Sequence, residues 1–178
     1  FHPQVAHVLT DEFAAMRLTT QHVLDLGHER VAHLSMMLRA HSPTGVVTEA
    51  EVAAATYPDA VGRLAGFRSL AGPSAPVVQA CEITVEAGEA AARILLDVPA
   101  EQRPTAIVTR ADLLAAGVVR AAESMGLRVP EGLTVTGRLD DLIAAAREQR
   151  IDQIIIALPQ SADRRMATWR APYGLLVV

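Results

Sequence analysis

The sequence contains no lysine: all 16 of its basic residues are arginine, against 20 acidic residues, for a net charge of −4. No Arg cluster stands out that would neutralise a run of phosphates, so direct nucleic-acid binding by this chain is not expected. There is one cysteine, Cys81. It excludes an internal disulfide and a thiolate metal cluster, and it suits a reducing, cytoplasmic location. Cys81 falls in VVQACEI (77–83), where an inert core residue is expected. Aromatics make up only 3% of the chain while hydrophobic residues make up 51%, so the core is expected to be built from small Ala and Val side chains. No apolar run approaches about 18 residues, and no transmembrane helix is expected. The opening FHPQ lacks a basic region followed by an apolar one, so no signal peptide is expected. A start at Phe1 suggests a fragment or a trimmed chain.

Several motifs are also missing. There is no GxGxxG after a first strand, no GxxxxGK[ST], no GxSxG and no HExxH. The chain is therefore expected not to be an enzyme and to need no cofactor.

What is present is an alternation. Short apolar runs at 5–9, 31–35, 77–83, 105–109, 133–137, 151–159 and 173–178 read as strands. Amphipathic stretches at 10–26, 58–71, 85–98, 111–126, 139–150 and 161–170 read as helices between them. Residues 36–57 read as a loop, marked by Ser42, Pro43 and Gly45, followed by a short helix at 48–55. Thr10 or Asp11 is expected to cap the first helix, whose apolar positions are Phe13, Met16, Val23, Leu24 and Leu26. Gly88 is expected to weaken its helix mildly. The interior runs are apolar throughout, as in parallel strands covered on both sides. The expected fold is α/β: a doubly wound, mostly parallel sheet of about six or seven strands with helices on both faces, in one domain spanning 1–178.

In such sheets a ligand sits at the carboxyl ends of the strands. Four residues there carry useful chemistry. Asp11 follows the first strand. Arg63, near a helix start, can grip a hydroxyl or carboxylate through its fork. Asp112 follows TAIVTRA and either caps the next helix or accepts hydrogen bonds from ligand hydroxyls. Asp140, beside Asp141, follows the strand at 133–137, although a helix dipole alone favours acids in that first turn. The histidines are scattered. His7, His28 and His33 could approach one another across two strands, but isolated, hydrogen-bonded rings are the expected outcome. In HVLDLGHERVAHLS (22–35), Gly27 is expected to end the helix, leaving His28 where a cation or a bond to the last carbonyls is favourable.

Four stretches carry a resemblance: HVLDLGHERVAHLS, PDAVGRLAGFRSL, VEAGEAAARILLD and PTAIVTRADLLAAGVVRAAESMGLRVPEGLTVTG. Together they make residues 5–137 resemble the effector-binding region of the lactose-repressor/galactose-repressor (LacI/GalR) transcription regulators, and within it the C-terminal, periplasmic-binding-protein-like subdomain. The resemblance implies a small effector, a sugar or a nucleobase, held between two lobes. It implies that Arg63 and Asp112 contact this effector and that Asp11 occupies a polar position after the first strand. Ala111 stands where the family has the Asn of an Asn-Asp pair, and segment 36–57 is longer than the family's loop. The family's helix-turn-helix and first lobe are not in this sequence. A homodimer through surface helices is also expected.

Beyond residue 137 the likeness changes. GRLDDLIAAAREQRIDQIIIALP is similar to the Rossmann-like region of polyprenyl-phosphate sugar transferases. Residues 138–178 are thus expected to form a C-terminal βα extension of different resemblance, which leaves open a recombined chain. Two other functions stay open beside effector binding. One is a Rossmann-like module for a nucleotide or sugar nucleotide; the other is an engineered or recombined α/β scaffold with no ligand.

Overall fold

The computed structural model describes residues 10–127 and 155–157. The elements in order are α1 (Glu12–Asp25), β1 (Val31–Met36), β2 (Gly45–Val46), α2 (Glu49–Ala53), α3 (Pro58–Ala71), β3 (Val77–Ala80), α4 (Val85–Leu96), β4 (Ala106–Thr109), α5 (Asp112–Ser124) and β5 (Ile155–Ala157). The strands form one sheet in the order β2-β3-β1-β4-β5. The β3-β1, β1-β4 and β4-β5 pairs are parallel, and only β2 runs antiparallel, against β3. Of the seven expected strands, those at 5–9, 133–137 and 173–178 lie outside the described residues.

Both faces of the sheet are covered. On one face α1 packs on α3, and on the other α4 packs on α5. Side chains along β1 alternate between the two cores. Val31 joins Met16, Val23, Leu64 and Phe67, while Ala32 and Leu34 join Ala91, Leu95, Leu114 and Val118. This is why the strand is buried on both faces and mostly apolar, with His33 and Ser35 its polar exceptions. The chain leaves β1 toward β3 and then returns past β1 to β4. The winding therefore reverses between β1 and β4, and their carboxyl ends flank a switch point.

Glycines set the helix spacing. A Cβ on Gly88 of α4 would lie 2.8 Å from the Leu114 carbonyl oxygen of α5, and one on Gly117 would strike Val85 and Glu89. Gly88 therefore does more than weaken its helix: it lets two backbones touch. Gly27 closes α1 with φ of 90°. Its N–H bonds to the Leu24 carbonyl (2.9 Å), and the His28 N–H bonds to that of Val23 (3.4 Å), the paired pattern of a Schellman ending.

Four expectations change. Cys81 is exposed, because β3 ends at Ala80 and the chain bends at Cys81 and Glu82 instead of continuing the strand. Of the apolar positions expected to follow the helical spacing of α1, Met16 and Val23 are buried, together with Thr19 and Thr20, while Leu26 and Phe13 are 51% and 42% exposed. Segment 36–57 gains the short strand β2, and its helix shrinks to α2, closed at its start by a capping box between Thr48 and Glu51. Lastly, the His28 ring does not bond to the helix carbonyls. Its Nδ1 meets the Thr105 hydroxyl at 3.0 Å, and partial burial lowers its pKa, which disfavours the expected cation.

Candidate functional site

The carboxyl edge of the sheet gathers the buried charges of the α1/α3 face. Arg63 sits in the second turn of α3 and is 5% exposed. It forms an ion pair with Glu12, in the first turn of α1. Because Gly66 admits the Phe13 backbone, the starts of α1 and α3 lie side by side and the pair can form. Burial works against the Arg63 charge, and Glu12 sustains it.

Arg110 follows β4 at the switch point and is 9% exposed. Its Nη2 lies 2.7 Å from the Asp59 carboxylate, at the start of α3, and its Nη1 lies against the Met36 sulfur at the end of β1. Arg110 thus spans the crevice between β1 and β4. Behind it the turn is tied by Thr109, whose hydroxyl donates to the Ala111 carbonyl (2.9 Å) and accepts from the Ala111 N–H (3.3 Å). Ala111 itself takes the N-cap position of α5 and has no side chain to cap with.

His33 lies beneath these cations in the middle of β1 and is fully buried. Its ring packs against Phe67 with centroids 5.4 Å apart. Nδ1 is 2.8 Å from the Val108 carbonyl oxygen, which can only accept, so Nδ1 carries the proton and Nε2 presents a lone pair. Burial, with the charges of Arg63 and Arg110 adding to it, pushes the His33 pKa down to about 4, so the ring is neutral. Among the described residues Arg63 Nη1, Arg68 Nε, Arg110 Nε and His33 Nε2 are buried without a hydrogen-bond partner, and Arg63 Nε and Glu12 Oε2 meet only in their ion pair.

Segment 36–57 is anchored to the same edge. Gln79, fully buried on β3, accepts the Leu38 N–H through Oε1 (3.1 Å) and donates to Glu51 through Nε2 (2.8 Å). Among the described residues no three His, Cys, Asp or Glu side chains cluster to hold a metal. No described helix is long and apolar enough to cross a membrane.

Residues 20–151 match the family described as "Periplasmic binding protein-like domain". The chain belongs to that family. The regulator reg1 of Streptomyces lividans is 31% identical over 166 residues, covering 92% of this chain and 45% of its own length. The regulator MalR of Streptomyces coelicolor is 30% identical with the same coverage. The crystal structure of a LacI-family regulator from Corynebacterium glutamicum superposes with a TM-score of 0.62 at 24% identity, covering 82% of this chain and 44% of that one. The chain is thus an effector-binding region of LacI/GalR type and spans about half the length of the curated relatives it matches. The family match runs past Gly137, where the second resemblance begins.

In this LacI/GalR-type domain the four sequence candidates are distributed unequally. Arg63 is in the buried cluster. Asp11 is exposed and caps α1, its Oδ1 accepting the Ala14 N–H at 2.9 Å, so it stands one residue before Arg63's partner Glu12. Asp112 is exposed at the first position of α5, next to Arg110 and Ala111 in sequence; among the described residues it bonds only the N–H of Leu113 (3.1 Å), and it does not cap the helix. Asp140 lies outside the described residues. The sequence places Glu12 and Arg110 just after expected strands, where a ligand would sit, but does not join them with Asp59 and His33 in one site.

Proposed function

We propose that the chain binds a small effector, a sugar or a nucleobase, at the carboxyl edge of β1 and β4, as the ligand-sensing part of a transcription regulator. In this reading it performs no catalysis, makes no direct contact with nucleic acid or membrane, and works in the cytoplasm as a homodimer. Asp11, Arg63 and Asp112 line the ligand side. Asp140 belongs to the same proposal through the resemblance alone. The observation that carries the reading is Arg63: a guanidinium 5% exposed, at the switch-point edge, with an N–H that has no partner among the described residues. A polar group left so costs about 1–3 kcal/mol, and a ligand oxygen removes that cost. The names of the curated relatives, all regulators in the two cases above, support the assignment to sensing over chemistry.

Isothermal titration with pentoses, hexoses and purines tests it. Heat from at least one class, lost in Arg63→Met, is the expected result. A folded chain that gives no heat with any compound, charged or neutral, overturns it.

A further inference from the structure

We propose that Glu12 is a positioning residue for effector binding: paired with Arg63 at Nε, it holds the guanidinium fork of Arg63 in one orientation and leaves its outer nitrogens unspent. The proposal rests on the effector-binding reading and gives it a residue that acts through Arg63.

The local sequence builds the contact. Gly62 and Gly66 stand one turn apart on α3, on either side of Arg63 in sequence. A Cβ on Gly62 would lie 3.3 Å from the Glu12 Cβ, and one on Gly66 would lie 2.5 Å from the Phe13 carbonyl oxygen. The first turn of α1 therefore rests against the two glycines. Asp11 caps that turn through the Ala14 N–H, which fixes where α1 begins. With both helix starts so placed, the Glu12 carboxylate meets Arg63 Nε.

Which nitrogen is held decides what the pair does. Arginine donates from Nε and from both outer nitrogens, all in one rigid plane. Glu12 takes Nε, the nitrogen nearest the chain, while Nη1 stays buried without a hydrogen-bond partner among the described residues. A carboxylate at Nε thus fixes the plane of the fork. An arginine side chain has several rotatable bonds, and freezing them before a ligand arrives removes that cost from binding. Burial opposes the Arg63 charge most, and Glu12 counters it more than Asp59 does. The pair is not needed to dock the two helices, because Met16 and Val23 of α1 already share a core with Leu64 and Phe67 of α3.

Two measurements on the full chain test the proposal. The first is NMR of isotope-labelled arginine side chains in the ligand-free chain, with the Arg63 signals assigned by their loss in Arg63→Met. A held fork gives separate signals for its outer nitrogens, and a freely turning one gives an average. Separate signals are expected in the parent chain and in Glu12→Gln, whose amide oxygen can still face Nε. Averaged signals are expected in Glu12→Met, which keeps the volume and removes the oxygens. The second is isothermal titration with D-ribose, D-glucose, adenine and the other pentoses, hexoses and purines. Affinity should fall about tenfold or more in Glu12→Met, the range met when a residue that orients a ligating side chain is removed. Glu12→Gln should recover part of it, and melting curves verify that each variant folds. A merely structural pair lowers the melting temperature in Glu12→Met and leaves affinity unchanged; that result overturns the proposal and leaves the effector reading intact. Arg63 signals that are averaged in the parent chain, or unchanged in Glu12→Met, overturn it as well, whatever the affinity does, since Glu12 then does not act through Arg63. No heat from any sugar or purine overturns both readings together.

Discussion

His33 and Val108 are register partners on neighbouring parallel strands, and the ring of one is hydrogen-bonded to the carbonyl of the other at 2.8 Å. That bond holds a neutral imidazole inside an apolar core, directly under two arginines. Protonating it would put a third cation in the same place.

The pH dependence follows. Folding takes the His33 pKa from its ordinary 6.5 down to about 4. Between those values the unfolded chain binds a proton that the folded chain refuses, so stability is full above about pH 6.5 and falls as pH drops toward 4. The loss is on the order of 3 kcal/mol. Glu12 and Asp59 face the same arginines and balance their charge. Urea unfolding at pH 7.5, 6.5, 5.5 and 5.0 should show the fall, and His33→Leu should flatten most of it. His28, also lowered, accounts for a smaller remainder.

Gly117→Ala sets two effects against each other. Alanine in a helix gains about 1 kcal/mol over glycine. The new methyl, however, would meet the Val85 carbonyl and the Glu89 nitrogen, backbone atoms that cannot rotate aside. Overpacking costs about 1–3 kcal/mol and more when backbone must move. The clash should win, lowering the melting temperature by roughly 5 °C in calorimetry. A rise would show that α4 and α5 can separate freely.

Gln79→Met keeps the volume and removes both hydrogen bonds. The Leu38 N–H and Glu51 then lose their shared partner on β3. A cost of about 1–3 kcal/mol is expected in denaturant melts. Hydrogen exchange should rise first at Leu38, Thr56 and Tyr57, since the last two bond to the Leu38 carbonyl.

Asp11 has two candidate roles, which two substitutions separate. Asp11→Ala removes the cap on Ala14 and should cost about 1 kcal/mol. Asp11→Ser keeps a capping oxygen and removes the charge, so stability should hardly change. If Asp11 contacts effector, Asp11→Ser weakens binding nonetheless; unchanged affinity assigns it to the helix alone.

The parallel sheet was legible because the interior strands have a core on each side and therefore read as mostly apolar runs, with only His33, Ser35, Gln79 and Thr109 breaking them. The strand β2 was not, since two residues carry no period. Cys81 was misjudged because hydropathy does not mark where VVQA stops pairing and CEI begins to turn. At the site, Arg63 could be picked out by the motif around it. Its partner Glu12 lies 51 positions earlier, and nothing local in DEFAAM signals that Gly66 will bring the two helices together. His33 was readable as a buried ring, but the carbonyl that fixes its tautomer comes from a strand 75 residues away.

The strand β2 has a consequence beyond topology. It is two residues long, runs against its neighbour, and is followed at once by the Thr48 capping box that turns the chain into α2. An incoming extended chain would find no row of free amide groups long enough to dock on there. Among the described residues the sheet ends on that side with β2, so this edge offers a second copy of the chain little to pair with.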